Sequence, residues 1–313
     1  MRSVVLSLLC ALPLAAQVRF TRPAPDRIAV EIDGKPYTTF FLAPGGNKPY
    51  LYPLSTASGI VVTRHFPMEP FPGETTDHPH HRGLFFSHGD VNGFNFWATE
   101  PGANDPNAGR MAIDKILETR GGAGSGTLRV VFLGQDPRGN PIMRETRTIT
   151  FSSAAALRII DYEIQIDALQ KLVFGDTKEG TFGIRLATSM TEDKGGRMVN
   201  AEGKETEKNV WGKRSDWVDY SGPVDGQTVG VAIFDNPTNP RHPIYWHARA
   251  YGLFAANPFG VRDFTGDKSQ DGSMTVEKGK STRFRYRVVV HTGDPVTAGI
   301  PALYRQYASG SEP

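Results

Sequence analysis

The sequence predicts an all-β chain, most simply one large antiparallel two-sheet sandwich. Three observations lead there. Apolar and polar residues alternate with period two in several segments. Thirty-four glycines and 23 prolines supply turns between short strands. Only "PALYRQYASG", near the end, has a helical pattern, and it is short.

The N-terminus "MRSVVLSLLCALPLAAQ" reads as an export signal, residues 1–16. Arg2 supplies the positive charge, Val4 to Leu12 the apolar stretch, and Ala15-Ala16 the small-residue cleavage end. Cys10, the only cysteine, leaves with it, so the mature chain has no disulfide and no thiolate. A periplasmic or secreted protein is expected. No later window is long and apolar enough to span a membrane as a helix, which needs about 20 residues.

The strands follow in order. "TLRVVFLG" and "MRETRTITF" are strand candidates separated by the turn Asp136-Pro137-Arg138-Gly139. "LRIIDYEIQID" puts Ile160, Tyr162, Ile164 and Ile166 on one face, opposite Asp161, Glu163, Gln165 and Asp167. "TVGVAIFD" is a continuous apolar run fit for a buried strand. "STRFRYRVVVH" alternates again, with Phe284, Tyr286, Val288 and Val290 opposite Arg283, Arg285, Arg287 and His291. No Pro/Ser-rich linker divides the chain, so residues 17–313 read as a single domain. A net charge of +2, without basic blocks, gives no reason to expect nucleic acid or anionic lipid as partner.

Three segments depart from plain strand patterning. "DHPHHRGLFFSHGD" gathers His78, His80, His81 and His88. A strand beginning after Gly83 puts His80, His81 and Arg82 at its mouth and leaves His88 as structure. "FGDTKEGTFGIRLATSM" places Glu179, Thr181, Gly183 and Arg185 on one strand face, the wall of a polar cleft. The region Val210–Gly260 holds Trp211, Trp217 and Trp246 among Lys213, Asp219, Tyr220, His242, His247 and Arg249. Aromatic platforms interleaved with hydrogen-bonding groups suit a sugar ring, which offers a CH face to stack and hydroxyls to pair.

The histidines allow three uses. They could move protons, with Glu179 or Asp219 as the complementary group. They could hold a metal with carboxylates, since thiolates are missing. They could also tie the loop together. The first is preferred, and no cofactor and no metal is expected. The site is therefore read as His80, His81 and Glu179 handling protons. Arg82, Arg185, Lys213, Asp219, Tyr220, His242, His247 and Arg249 pair with hydroxyls or a carboxylate, and the three tryptophans stack. The expected partner is a small sugar, a sugar acid or an oligosaccharide, either acted upon or, in a binding module, only held.

"DHPHHRGLFFSHGDVNGFNFW", "KEGTFGIRLA" and the stretch from "WGKRSDWVDYSGP" to "AANPFG", in that order, resemble a bacterial family labelled methane oxygenase PmoA. The resemblance implies a β-sandwich of the galactose-mutarotase-like kind. It also implies, by analogy with aldose epimerases of that fold, a histidine acid (His80 or His81) and Glu179 as base. Methane oxygenation itself is not expected, since the membrane enzyme of that name needs several apolar spans.

Overall fold

The computed structural model describes residues 16–46, 48–99 and 105–310. Residues 1–15, most of the segment read as an export signal and including Cys10, lie outside it.

Among the described residues, two antiparallel sheets of ten and eight strands face each other. The eight-stranded sheet runs Arg197–Asn200, Trp217–Val224, Gln227–Asp235, Ser281–Thr292, Leu157–Ala168, Pro141–Ala154, Ser125–Gln135 and Arg110–Arg120 in space. Its long alternating strands pair over many residues. Ile160, Ile164 and Tyr162 stand opposite Val288, Phe284 and Tyr286 and turn into the common core. The charged partners of those positions face outward, where Arg287 meets Asp161 and Arg285 meets Glu163. The helix Ile300–Ala308 covers the outer face elsewhere, with Ile300 and Tyr304, one turn apart, packed on Trp217, Phe234 and Val289.

The ten-stranded sheet carries the site. Its order is Arg214–Ser215, Ile244–Ala248, Leu253–Asn257, Gly180–Arg185, Leu84–His88, Tyr50–Tyr52, Lys35–Phe41, Arg27–Ile32, Gln17–Ala24 and Gly122–Ala123. Period-two geometry divides its central strands cleanly. Leu84, Phe86, Phe182, Ile184, Phe254, Ala256 and Trp246 point into the core between the sheets. The intervening residues Phe85, Gly183, Ala255 and His247 stand side by side in register on the opposite face.

One ion pair ties the two sheets together from inside. Arg147 and Glu145, 1% and 2% exposed, sit on the inner face of the eight-stranded sheet, Nε to Oε1 at 2.5 Å. Arg147 also donates to the carbonyl of Phe86 in the facing sheet, to that of Pro49 just before the strand Tyr50–Tyr52, and to the Tyr162 hydroxyl, at 3.0–3.1 Å. A buried guanidinium so placed has every side answered.

Candidate functional site

The outer face of the ten-stranded sheet is floored by Phe85, Gly183 and Ala255. Gly183 is needed flat: a Cβ there would lie 3.0 Å from the Ala255 methyl and 3.6 Å from the Trp97 ring. Trp97 therefore lies over the sheet, 5.0 Å from Phe85 edge to face. At the strand's end Gly89 donates to the Glu179 carbonyl at 2.7 Å. Any Cβ at Gly89 would meet the Glu179 Cβ at 2.8 Å, so only glycine lets these two strands close up beside the carboxylate.

Over this floor opens a cavity of about 500 Å³ lined by His78, His80, His81, Trp97, Lys178, Glu179, His247, Arg249 and Tyr251, among others. The histidine-rich loop closes one side. Its anchor is Asp77, which accepts from Arg64 at 2.7 Å and from Arg185 at 2.8 Å. Both guanidiniums are buried, at 0% and 2% side-chain exposure. Burial alone would raise the Asp77 pKa, but the Arg185 charge and the hydrogen bonds from His78, Thr75 and Arg185 hold it well below the usual carboxylate range. Burial, reinforced by the neighbouring Arg185, brings Arg64 down to about 10. His78 takes a left-handed backbone, φ 44°, which an L side chain rarely adopts. Its carbonyl is held there by the His81 amide and Arg64, each at 3.0 Å. Such a conformation persists only where its surroundings fix it.

His80, His81 and His247 are neutral in the cavity. Burial, then the charges of Lys48, His78, Arg64 and Arg185, pushes His80 down to about 3. Burial, aided by His80 and Arg185, depresses His81 much further. Neither supplies an imidazolium at neutral pH, so a charged histidine acid is not what this geometry builds. His81 instead accepts from Arg185 at Nδ1, 3.3 Å away, which places its hydrogen on Nε2. That Nε2–H is buried with no partner among the described residues, and so is the Trp97 Nε1–H. His247 shows the reverse tautomer. Its Nδ1–H donates to the Lys178 carbonyl at 2.9 Å, leaving Nε2 as an acceptor. Burial lowers it to about 4, against the opposing charge of Glu179. Glu179 itself is 37% exposed and pairs with Lys178 at 3.1 Å.

Of the sequence-predicted residues, His80, His81, Glu179, His247 and Arg249 line the cavity, and Arg185 stands behind His81. Arg249 pairs with Glu207 at 3.0 Å and lies over the Tyr251 ring. The others are elsewhere. Trp246, next to His247, points into the core and donates to the Ser215 carbonyl. Trp217 and Asp219 are on the outer face of the other sheet, Trp217 under the C-terminal helix and Asp219 bonded to His291 at 2.7 Å. Tyr220 is in the core, its hydroxyl on the Ala250 carbonyl. Trp211 packs on Phe264, Lys213 is exposed on a turn, and Arg82 lies over Tyr50. His242 is clamped between Asp235 at 2.7 Å and Asp216 at 3.4 Å. The region 210–249 crosses between both sheets, so closeness in sequence did not become closeness in space. Trp97, Asp77, Arg64 and Tyr251 were missed, although Asp77 and Trp97 bound the very motif that carries the histidines.

His242 offers a check on the clamp. Its hydrogen bond to Asp235, opposed by burial, raises its pKa above the ordinary 6.5. A histidine raised on folding stabilises the fold while protonated and loses that contribution as pH climbs through the raised value. Thermal melts should show His242→Gln trailing the wild type most at about pH 5.5 and converging with it by about pH 9. A gap that widened with pH would contradict the clamp.

A larger cavity, about 670 Å³, lies beyond the Arg64–Asp77–Arg185 cluster and includes His65, Phe71 and Glu74. There Glu74 is taken up by the His65 ring and by the backbone amides of His65 and Phe66. Glu74 and His65 are thus spent on each other and on the loop, and the smaller cavity, which gathers His80, His81, Glu179 and His247, is the better candidate. Among the described residues, no three His, Cys, Asp or Glu side chains are grouped to hold a metal ion, and no helix is long and apolar enough to cross a membrane.

Residues 27–305 match the model of a family described as "Family of unknown function (DUF6807)". The chain belongs to this family. Nothing in the comparisons carries the methane-oxygenase label. No curated protein matches. Among solved structures, the chain is similar to a galactose mutarotase-like protein from Clostridium acetobutylicum, with 10% identity and TM-score 0.45 over 89% of this chain and 99% of that one. It is also similar to an α-galactosidase from Lactobacillus brevis, with 10% identity and TM-score 0.47 over 93% of this chain. It spans 42% of that enzyme's length.

Proposed function

We propose that this member of the family binds a sugar or sugar acid in the 500 Å³ cavity and acts on it by proton transfer, in the periplasm or outside the cell. The observation that carries this reading is that His81 and Trp97, whose buried Nε2–H and Nε1–H have no partner among the described residues, line the same cavity as Glu179 and as His247, whose Nε2 is an acceptor. An unmet buried donor costs about 1–3 kcal/mol, so a ligand that supplies oxygen there recovers that energy on binding. Hydroxyls both donate and accept, which matches a wall carrying both kinds of group. His78 stacks between His81 and Tyr251, at 4.9 and 5.1 Å, and gives the cavity an aromatic wall beside them.

In the reaction, Glu179 takes a proton from a C–H bond next to the ligand's carbonyl or carboxylate group, the electron pair left behind moves onto that group's oxygen, and His81, neutral, donates a hydrogen bond to that oxygen. A neutral imidazole can do this without a protonated state. Thermal-shift screening of hexoses, uronic acids and oxidised glycosides should find a ligand that raises the melting temperature, followed by turnover assays with the ligands found. Glu179→Gln should keep binding and lose turnover by about 10²- to 10⁴-fold. Binding without turnover in the wild type would make the chain a sugar-binding module. No stabilisation by any sugar would sink the reading.

A further inference from the structure

Resting on that sugar reading, the wall around His81 says more about the ligand's charge. Two buried guanidiniums, Arg64 and Arg185, share the single carboxylate of Asp77. The other carboxylate near Arg64, Glu74, is bonded to His65 and faces the larger cavity. Glu74 still acts on Arg64, so the positive charge on the His81 side of the cavity comes from Arg185 and from the buried Lys48, whose ammonium donates to the Trp97 carbonyl and lies 5.1 Å from the Phe85 ring centre. Arg185 passes its polarity on. By donating to His81 Nδ1 it draws density from the ring and makes Nε2–H a stronger donor. The Trp97 ring stands edge-on to His81, 5.6 Å between centroids, and contributes a second donor that can never accept.

On this side of the cavity there are two donors under a positive wall, whereas the acceptors His247 Nε2 and Glu179 belong to the segments that form another side. A hydroxyl fits either side, but an oxyanion with several lone pairs and no hydrogen fits only the first. The geometry points to a carboxylate subsite: the ligand is a sugar acid, such as a hexuronate, whose carboxylate accepts from His81 Nε2–H and Trp97 Nε1–H while its hydroxyls meet Glu179 and His247.

Calorimetric titration of galacturonate and glucuronate against galactose and glucose tests this. The uronates should bind wild type at least about tenfold more tightly than the neutral sugars. Trp97→Phe, which keeps an aromatic ring and removes the N–H, should weaken uronate binding about 5- to 20-fold and neutral-sugar binding less than about threefold. His81→Leu should lose uronate binding and His81→Gln restore part of it, because an amide can accept from Arg185 and donate to the ligand. Equal affinity for charged and neutral sugars overturns the carboxylate subsite and leaves the sugar reading standing. So does an equal loss of both in Trp97→Phe. Failure of all four sugars to bind overturns the hexuronate subsite, and failure of every sugar in the thermal-shift screen overturns the sugar reading as well.

Discussion

Replacing Glu145 with alanine lowers the unfolding free energy by about 3–5 kcal/mol, the usual cost of leaving a buried charge without its partner. Arg147 is 1% exposed, and its remaining hydrogen bonds to Pro49, Phe86 and Tyr162 neutralise none of its charge. An exposed pair such as Arg120–Glu118, at 65% and 35% side-chain exposure, is worth at most about 1 kcal/mol, so Glu118→Ala should be near silent. In a chain of 313 residues the Glu145 change should appear as a drop of about 5–8 °C in melting temperature. Replacing both partners with methionine should recover most of the loss, since it removes the stranded charge together with its partner. If Glu145→Ala cost less than about 1 kcal/mol, the ion pair would not be the dry inter-sheet tie described above.

Replacing Asp77 with alanine has the next largest effect, and it falls on the site. Arg64 and Arg185 would face one another at close quarters with no carboxylate between them. Asp77 is itself 38% exposed, so water relieves part of the cost and the expected loss is about 2–3 kcal/mol. Because the folded-state pKa of Asp77 is depressed, this stability is present above the ordinary value of 3.8 and fades only as pH falls further. The gap between wild type and Asp77→Ala should thus be constant near neutrality and close in acid. Ligand binding should fall further than stability, since His78 and His81 lose the anchor that sets their tautomer and backbone. An Asp77→Ala protein that binds like wild type would separate the Asp77 cluster from the site.

The fold class was legible because the eight-stranded sheet writes its geometry plainly. Ile160, Tyr162, Ile164 and Ile166 alternate with Asp161, Glu163, Gln165 and Asp167, and Phe284, Tyr286 and Val288 alternate with arginines, because one face meets the core and the other meets water. The ten-stranded sheet hides its pattern where it matters. All six residues of Gly180–Arg185 are buried, since loops cover the face opposite the core. Of Glu179, Thr181, Gly183 and Arg185, expected on one cleft face, Glu179 lines the cavity, Gly183 lies in the floor beneath it and Arg185 stands behind His81, whereas Thr181 is fully buried and donates to the Ala256 carbonyl. The aromatic-rich region failed because strand parity decides direction. His247 faces the cavity and its neighbour Trp246 the core, while Trp217 belongs to the other sheet altogether. A tautomer cannot be read from sequence either. Burial keeps His81 neutral, and the contact with Arg185 places its hydrogen on Nε2.

The most direct test of a ligand site at His81, Trp97, Glu179 and His247 is a crystal structure of the protein grown with a uronic acid that stabilises it. The expected result is ligand density in the 500 Å³ cavity, with oxygens about 2.8–3.2 Å from His81 Nε2 and Trp97 Nε1. An empty cavity there, with the sugar seated instead against Phe71 and His65 beyond the arginine pair, would contradict it.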